Sequence, residues 1–259
     1  MTAGVLAGYR VLITRPALQA DQLIGAIESA GGSVIRFPVI RIAGYSPNRI
    51  ATQFSRSPSP DVAIFISRNA AHYGLAAVRG SGATYAAIGP ATRAAIEAQG
   101  VEVDIVPEGG YDSEHLLEHP ALRDVKGKNI TIVRGSSGRE LLGETLEKRG
   151  ANVTYLPVYW RKANKIPAEE IGRLDELWRA GGIDCVTVLS VESLENLIKL
   201  LPPTSLEELR KTPLVAPGDR VIQTALDMLP GIRAVKAAGP RAVDMLNALI
   251  DARHAERNA

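Results

Sequence analysis

The sequence predicts an α/β protein made of two doubly wound, parallel-sheet domains of related topology. Residues 8–42 align without a gap with residues 127–161, which indicates an internal duplication. Apolar segments of strand length alternate with amphipathic segments of helix length, and no hairpin signal separates them. Strict alternation of this kind favours parallel strands covered by helices on both faces.

Each copy of the repeat reads as one βαβ unit. A short apolar strand ends in an arginine, Arg15 in the first copy and Arg134 in the second. An amphipathic helix follows, and a second strand then runs into a Pro-Val segment at residues 37–39 or 156–158.

The remaining elements follow from the same periodicities. Residues 43–60 are punctuated by prolines and contain one amphipathic stretch near Ile50–Phe54. We predict strands at residues 9–14, 33–37, 61–66, 84–88, 102–106, 129–133, 152–156, 184–189, 213–216 and 232–237, which divide into two five-stranded sheets. We predict helices at residues 18–30 and 92–99, from Asn69, from Ser113, up to Arg149, and from Arg241 to about Arg253.

The two Pro-Val segments interrupt this rhythm at matching points. Both are expected to be extended, because a residue before proline avoids the helical region. They could pair as a two-stranded connector over about residues 37–42 and 156–162, in which case the first βαβ unit and the final third of the chain would share one domain. The residues alone leave that exchange open.

Composition narrows the classes of function. The single Cys185 excludes an intramolecular disulfide and a multi-cysteine metal site, and the lack of a long apolar N-terminal segment adds to an expectation of a cytoplasmic protein. No apolar run reaches membrane-spanning length. The net charge is +2 with scattered basic residues, so we expect neither nucleic acid nor membrane as a partner, and nothing requires more than a monomer.

Ligands of open α/β sheets bind beyond the carboxyl ends of the strands. Arginines, hydroxyls and helix N-termini at those ends are typical of sites for a ligand with many carboxylates or phosphates. Helix capping alone would also explain Ser67, Thr92, Ser113 and Ser190. The candidate binding residues are Arg15, Ser67, Arg68, Gly89, Thr92, Arg134, Gly135, Arg139, Ser190 and Arg220.

Two further motifs have a simpler interpretation than a ligand site. The Gly135–Gly138 loop lacks the Lys-Ser/Thr of a nucleotide P-loop, which disfavours nucleotide binding. His115 and His119 are spaced as a helical pair, but without an acidic metalloprotease motif they indicate a solvated helix face, and we predict no metal site.

Tyr159 lies where the repeat fails, because the first copy has Ile40 there. It could be an aromatic residue that covers a hinge. A phenol with a pKa near 10 also stays protonated at neutral pH and can donate a proton to a leaving oxygen.

The chain resembles the uroporphyrinogen-III synthase family over nearly its whole length. The order and spacing of short motifs carry this resemblance, since each is weak alone. The motifs are Val11–Pro16, Phe65–Ala70, Ile88–Thr92 followed by Gly100, Arg134–Arg139 followed by Gly150, Pro157–Tyr159 and Leu189-Ser190.

The resemblance implies two α/β domains joined by a two-stranded ladder, with residues 1–38 and 163–259 in one domain and residues 39–162 in the other. It implies cyclisation of hydroxymethylbilane, which carries eight carboxylates, to uroporphyrinogen III, with inversion of ring D, loss of water and no cofactor. Tyr159 matches the linker tyrosine of the family and would assist departure of the hydroxyl. Ser67, Gly89, Thr92 and Ser190 match cleft positions that hold propionate and acetate groups.

The sequence departs from the family pattern at Val215–Arg220, where many members carry a small hydroxyl-rich turn. Arg220 stands where threonine or serine is common, and it could still bind a carboxylate. The alternative hypothesis is therefore a non-catalytic two-domain protein of this family that binds an anionic metabolite or has a regulatory role.

Overall fold

The computed structural model describes residues 4–138 and 140–257. The chain forms two compact units: unit 1 contains the residues up to Arg41 and those from Lys162 onward, and unit 2 contains Ile42–Arg161. Each unit holds one five-stranded sheet with helices packed against it, so the predicted α/β class is confirmed. No helix in the described residues is long and apolar enough to cross a membrane.

The elements are named in chain order. The strands are β1 (Arg10–Ile13), β2 (Ser33–Arg36), β3 (Ile40–Gly44), β4 (Val62–Phe65), β5 (Thr84–Ala87), β6 (Asn129–Gly135), β7 (Asn152–Ala163), β8 (Cys185–Thr187), β9 (Leu214–Ala216) and β10 (Ala234–Lys236). The helices are α1 (Ala17–Ser29), α2 (Pro47–Ser55), α3 (Arg68–Val78), α4 (Pro90–Glu97), α5 (Ser113–Glu118), α6 (Leu141–Lys148), α7 (Ala168–Arg179), α8 (Val191–Leu200), α9 (Pro203–Lys211), α10 (Asp219–Met228) and α11 (Ala242–Arg257), with a 3₁₀ turn at Pro120–Leu122.

The sheet of unit 1 has the strand order β10-β9-β8-β1-β2, and its ladders are parallel. Strand β1 lies between β8 and β2, and its Val11 and Ile13 belong to the core that α1 and α11 complete. Residues on α1 and α11, such as Leu23, Ile27 and Leu249, complete this core. The order places the carboxyl ends of β1, β8, β9 and β10 at one edge of the sheet.

The sheet of unit 2 has the order β3-β7-β6-β4-β5, with parallel ladders among β5, β4, β6 and β7. Alternate residues of the strands contribute to two cores, as expected for a sheet covered on both faces. One core includes Phe65 and Leu75 of α3, and the other includes Ile132 and Leu146 of α6.

The predicted strand at residues 102–106 was wrong, because only Ile105 pairs, through a single parallel bridge to Ala86. The N–H of Tyr85 bonds to a carboxylate oxygen of Asp104 at 3.0 Å, and the carbonyl of Tyr85 accepts from both Asp104 and Ile105. A side chain therefore replaces a main-chain partner at this edge, and the ladder does not propagate.

The tenth strand is instead β3, which lies beside β7. The N–H of Tyr45 bonds to the Val158 carbonyl at 3.0 Å, and the N–H of Asn164 bonds to the Val39 carbonyl at 2.9 Å. The residue numbers of the bonded partners rise along β3 as they fall along β7, which indicates antiparallel pairing. Strand β7 runs without a break from Asn152 to Ala163, where the sequence predicted a strand ending at Leu156 and a separate extended segment.

Candidate active site

Tyr159 lies on β7, and its hydroxyl oxygen is 3.2 Å from Oγ of Ser67, which lies two residues after the end of β4. Both residues belong to unit 2, and both are half-buried. The sequence predicted each of them as a site residue, and the structure brings them together at the carboxyl end of β4.

An irregularity in the sheet turns Tyr159 towards Ser67. Along the β6–β7 ladder, Arg134 pairs with Pro157 but Gly135 pairs with Tyr159, so one extra residue lies on β7. A shift of one residue moves a side chain to the opposite face of a sheet. Tyr155 accordingly packs with the core on the α6 side, whereas Tyr159 packs with the core on the α3 side.

Gly135 gives the tyrosine ring its space. A Cβ atom at this position would lie 2.9 Å from Cζ of Tyr159, closer than Cβ contacts in proteins allow. The N–H of Ser136 donates to the Tyr159 carbonyl at 2.8 Å and holds the backbone beside it. The predicted site residue Gly135 therefore contacts the tyrosine directly.

Ser67 also caps α3, as its type predicted, because its Oγ accepts from the N–H of Ala70 at 3.0 Å. A hydroxyl has two lone pairs and one proton, so Ser67 can cap the helix and still donate to the tyrosine oxygen. The N-terminus of a helix carries partial positive charge. The Tyr159 oxygen therefore lies beside a hydroxyl that can donate to it, at the N-terminus of α3.

Helix α4 begins two residues earlier than predicted, and Thr92 is not its cap. Gly89 occupies the cap position and Pro90 the first helical position, where proline is favoured. Thr92 is 4% exposed and lies in the first turn, with its N–H bonded to the Gly89 carbonyl at 3.0 Å. The interpretation of Ser113 as a cap was also wrong, since Asp112 caps α5 by accepting from the N–H of His115.

Arg134 is only 7% exposed, and its guanidinium carbon lies 4.8 Å from the centre of the Tyr155 ring. It lines a pocket of about 200 Å³ in unit 2. Burial raises the pKa of Tyr155, and the positive charge of Arg134 opposes that shift. The other lining residues are Ile66, Ile88, Asp112, Ser113, Ile132, Leu142 and Tyr155.

The other predicted arginines are placed differently. Arg68 is exposed at the start of α3. In unit 1, Arg220 is exposed in the first turn of α10, and Nη2 of Arg15 donates to the Pro240 carbonyl at 2.5 Å. Arg139 lies outside the described residues.

Ser190 caps α8 in unit 1 by accepting from the N–H of Ser193 at 3.1 Å. Its Oγ is also 2.9 Å from Oγ of Ser193. Ser190, Arg15 and Arg220 follow β8, β1 and β9, so they lie at the shared carboxyl edge of the unit 1 sheet.

Within residues 4–138 and 140–257, no group of three or more His, Cys, Asp or Glu residues is placed to hold a metal ion. His115 bonds through Nδ1 to Asp112 at 2.6 Å, which raises the pKa of His115, and His119 accepts from the N–H of Ala121.

Sequence reasoning missed Tyr155 and Tyr73. The ring of Tyr73 lies 6.2 Å from that of Tyr159, between centroids, and Tyr155 underlies Arg134. A signal existed for Tyr155, because the second copy of the repeat has it where the first has Arg36. Tyr73 lies in an ordinary amphipathic helix and gave no such signal.

Comparison with known proteins is consistent across sequence and structure. A family model described as uroporphyrinogen-III synthase HemD matches residues 21–246. The uroporphyrinogen-III synthase of Escherichia coli K12 is 31% identical over 200 residues, covering 74% of this chain and 80% of that protein. The enzyme of Salmonella typhimurium is 33% identical over 201 residues, with the same coverage of 74% and 80%.

Two solved structures share the fold. Uroporphyrinogen-III synthetase from Helicobacter pylori superposes with a TM-score of 0.61 at 12% identity, covering 94% of this chain and 99% of that chain. A mutant uroporphyrinogen III synthase from Thermus thermophilus superposes with a TM-score of 0.57 at 19% identity, covering 95% and 99%.

Proposed function

The chain belongs to the uroporphyrinogen-III synthase family and cyclises hydroxymethylbilane in tetrapyrrole biosynthesis, and we propose that Tyr159 assists the departure of the terminal hydroxyl group. The substrate is a linear tetrapyrrole. Its eight carboxylates suit strand ends that present helix N-termini, hydroxyls and arginines.

Each sheet, taken by itself, presents residues at its carboxyl edge that suit a carboxylate arm. In unit 2 the contacts come from Ser67, Gly89 and Thr92, whose positions start α3 and α4. In unit 1 they come from Ser190 at the start of α8, with Arg15 and Arg220 after β1 and β9. Arg68 adds an exposed positive charge beside Ser67. Binding at several points restrains a flexible chain in a reactive conformation.

The first chemical step breaks the C–O bond of the terminal hydroxymethyl group. The Tyr159 phenol transfers its proton to the leaving oxygen, which departs as water and leaves an azafulvene cation and a phenolate. Ser67 donates a hydrogen bond to the phenolate, and the N-terminus of α3 stabilises its charge.

Ring closure then proceeds through ring D. The cation attacks the substituted carbon of ring D, and the resulting spiro intermediate fragments and recloses with that ring inverted. The proton released from carbon at final closure returns to the Tyr159 oxygen, so the net change is loss of one water molecule. Direct closure without inversion occurs uncatalysed, and the task of the protein is to favour the inverting path by conformation.

The hydrogen bond between Tyr159 and Ser67 at the N-terminus of α3 is the observation that supports this role. A residue that merely covers a hinge needs neither the register shift in β7 nor a hydroxyl partner. Register irregularities of this type are common beside active sites.

The test is Tyr159→Phe, with Tyr73→Phe as the matched control. Removal of a general acid costs on the order of 10²-fold in rate, so kcat should fall by about that factor while KM and product affinity stay near wild type. Tyr73→Phe removes a neighbouring phenol and should leave kcat unchanged. Equal kcat for wild type and Tyr159→Phe would remove the tyrosine from the mechanism.

A further inference from the structure

The two arginines that the repeat places at equivalent positions have different surroundings. Arg15 in unit 1 donates to the Pro240 carbonyl. The side chain of Arg134 in unit 2, a residue only 7% exposed, makes no hydrogen bond or ion pair with a described residue, and its guanidinium contacts the Tyr155 ring. The duplication therefore does not by itself explain why a buried arginine lies at the end of β6.

A buried charge without a partner is energetically costly. Removing an ionic group from water carries a large free-energy penalty, which persists even after the protein relaxes around the charge. A cation–π contact recovers only a small part of that penalty. Tyr155 therefore offsets part of the cost, and an anion that enters the pocket would offset more.

The lining of the pocket indicates which anion fits. Four aliphatic side chains, Ile66, Ile88, Ile132 and Leu142, surround the space beside Arg134. The other charged lining residue, Asp112, is hydrogen-bonded to His115. The volume of about 200 Å³ is below the roughly 300 Å³ at which small-molecule sites begin, so the pocket suits one arm of a larger ligand.

We propose that Arg134 and Tyr155 form a subsite, the Arg134 pocket, that binds a single aliphatic carboxylate arm of the substrate. The methylene groups of the arm contact the aliphatic wall, and its carboxylate forms charge-assisted hydrogen bonds with the guanidinium. Tyr155 keeps the guanidinium plane in position, and Tyr155 itself packs against Gly143 of α6. This inference rests on the proposed function, since it assigns one substrate arm to one pocket.

The experiment compares wild type with Arg134→Gln and uses uroporphyrin III, the oxidised product, as the probe. Loss of a charge-assisted contact should weaken uroporphyrin III binding by roughly 10- to 100-fold. In the absence of the probe, the melting temperature of Arg134→Gln should equal or exceed that of wild type, because the variant removes an unpaired buried charge. A structural arginine would show the opposite, a lower melting temperature with unchanged binding.

Arg149→Gln is the matched control, because the Arg149 guanidinium lies in the same unit and donates to the Leu117 and Leu122 carbonyls at 2.8 and 2.7 Å. Loss of two such bonds should lower the melting temperature by roughly 4 to 8 °C and leave uroporphyrin III binding unchanged. Tyr155→Leu is the second variant. It should weaken the binding of uroporphyrin III by a smaller factor than Arg134→Gln does.

The outcomes separate this inference from the proposed function. If wild type neither cyclises hydroxymethylbilane nor binds uroporphyrin III, the proposed function fails. If wild type does both and Arg134→Gln binds as tightly as wild type, only the subsite is overturned. Inorganic phosphate serves as a second probe: stabilisation by phosphate that depends on Arg134, with uroporphyrin III binding that does not, would assign the pocket to a free anion and overturn the proposal.

Discussion

At the scale of single residues, Ser67 combines a helix cap with a contact to the proposed catalytic tyrosine. Its Oγ caps α3 and lies within hydrogen-bond distance of the Tyr159 oxygen. The residue type predicted the cap, whereas no local pattern predicted the second contact, because it joins residues from β7 and from the start of α3. Contacts of this kind depend on sheet order and register.

Ser67→Ala should lose both contacts. The missing cap should lower stability by about 1 kcal/mol, and the missing hydrogen bond should lower kcat by roughly three- to tenfold. Ser67→Thr keeps the hydroxyl and should restore both properties. Ser46→Ala is the control, because Ser46 caps α2 in the same way and, among the described residues, its side chain makes no hydrogen bond with a proposed site residue. If Ser46→Ala and Ser67→Ala changed kcat equally, the effect of Ser67 would be one of stability alone.

The Asp112–His115 pair should make the stability of the folded protein depend on pH, and the direction of that dependence follows from the pKa of His115. The hydrogen bond to Asp112 raises the pKa of His115, and the charges of Glu118 and Glu114 add to the shift. A raised pKa in the folded state adds stability that is fully present below the ordinary value of about 6.5 and is lost as pH rises through the folded-state value.

His115→Gln should therefore lower the melting temperature more at pH 5.5 than at pH 8.5. Thermal unfolding of wild type and variant at the two pH values measures the difference. Asp112→Asn provides the control. When His115→Gln is made in the Asp112→Asn variant, its effect on the melting temperature should be nearly the same at both pH values. An equal effect of His115→Gln at both pH values would contradict the role of the pair.

At the scale of elements, the register shift between β6 and β7 determines where the tyrosine lies. Extra length in β7 moves Tyr159 to the α3 side, and Gly135 leaves room for its ring. A larger residue at position 135 should therefore affect the reaction without a direct substrate contact.

Gly135→Ala tests this, since the added Cβ would lie 2.9 Å from Cζ of Tyr159 and should displace the ring. We expect kcat to fall at least about tenfold, with unchanged circular dichroism. Gly172→Ala is the control, because a Cβ there meets nothing within 4 Å and α7 should gain about 0.5 to 1 kcal/mol of stability. Wild-type kcat in Gly135→Ala would show that the glycine does not position the tyrosine.

Most strands were predictable because apolar runs of four to six residues are bounded by loop residues. The strand at residues 102–106 was not, because its failure depends on where the Asp104 carboxylate binds. The start of α4 was placed too late, because Gly89-Pro90 was interpreted as loop although proline is favoured at the first helical position.

At the scale of the whole molecule, the duplication was evident from residues 8–42 and 127–161, and each copy supplies two neighbouring strands of one sheet. Sheet order was not evident, because it depends on pairings between distant segments such as β1 with β8. The site residues could be predicted as strand-end residues, since parallel strands bring their carboxyl ends to one edge. Their burial could not, and Arg134 and Arg220 therefore have the same sequence signal but different environments.

The central claim is that this chain directs ring closure of hydroxymethylbilane towards the inverted isomer. The most direct measurement supplies hydroxymethylbilane to the purified protein, oxidises the products and separates the porphyrin isomers. We expect uroporphyrin III in large excess over a protein-free control. Uroporphyrin I alone, formed at the rate of the control, would contradict it and would favour a non-catalytic binding protein of the same family.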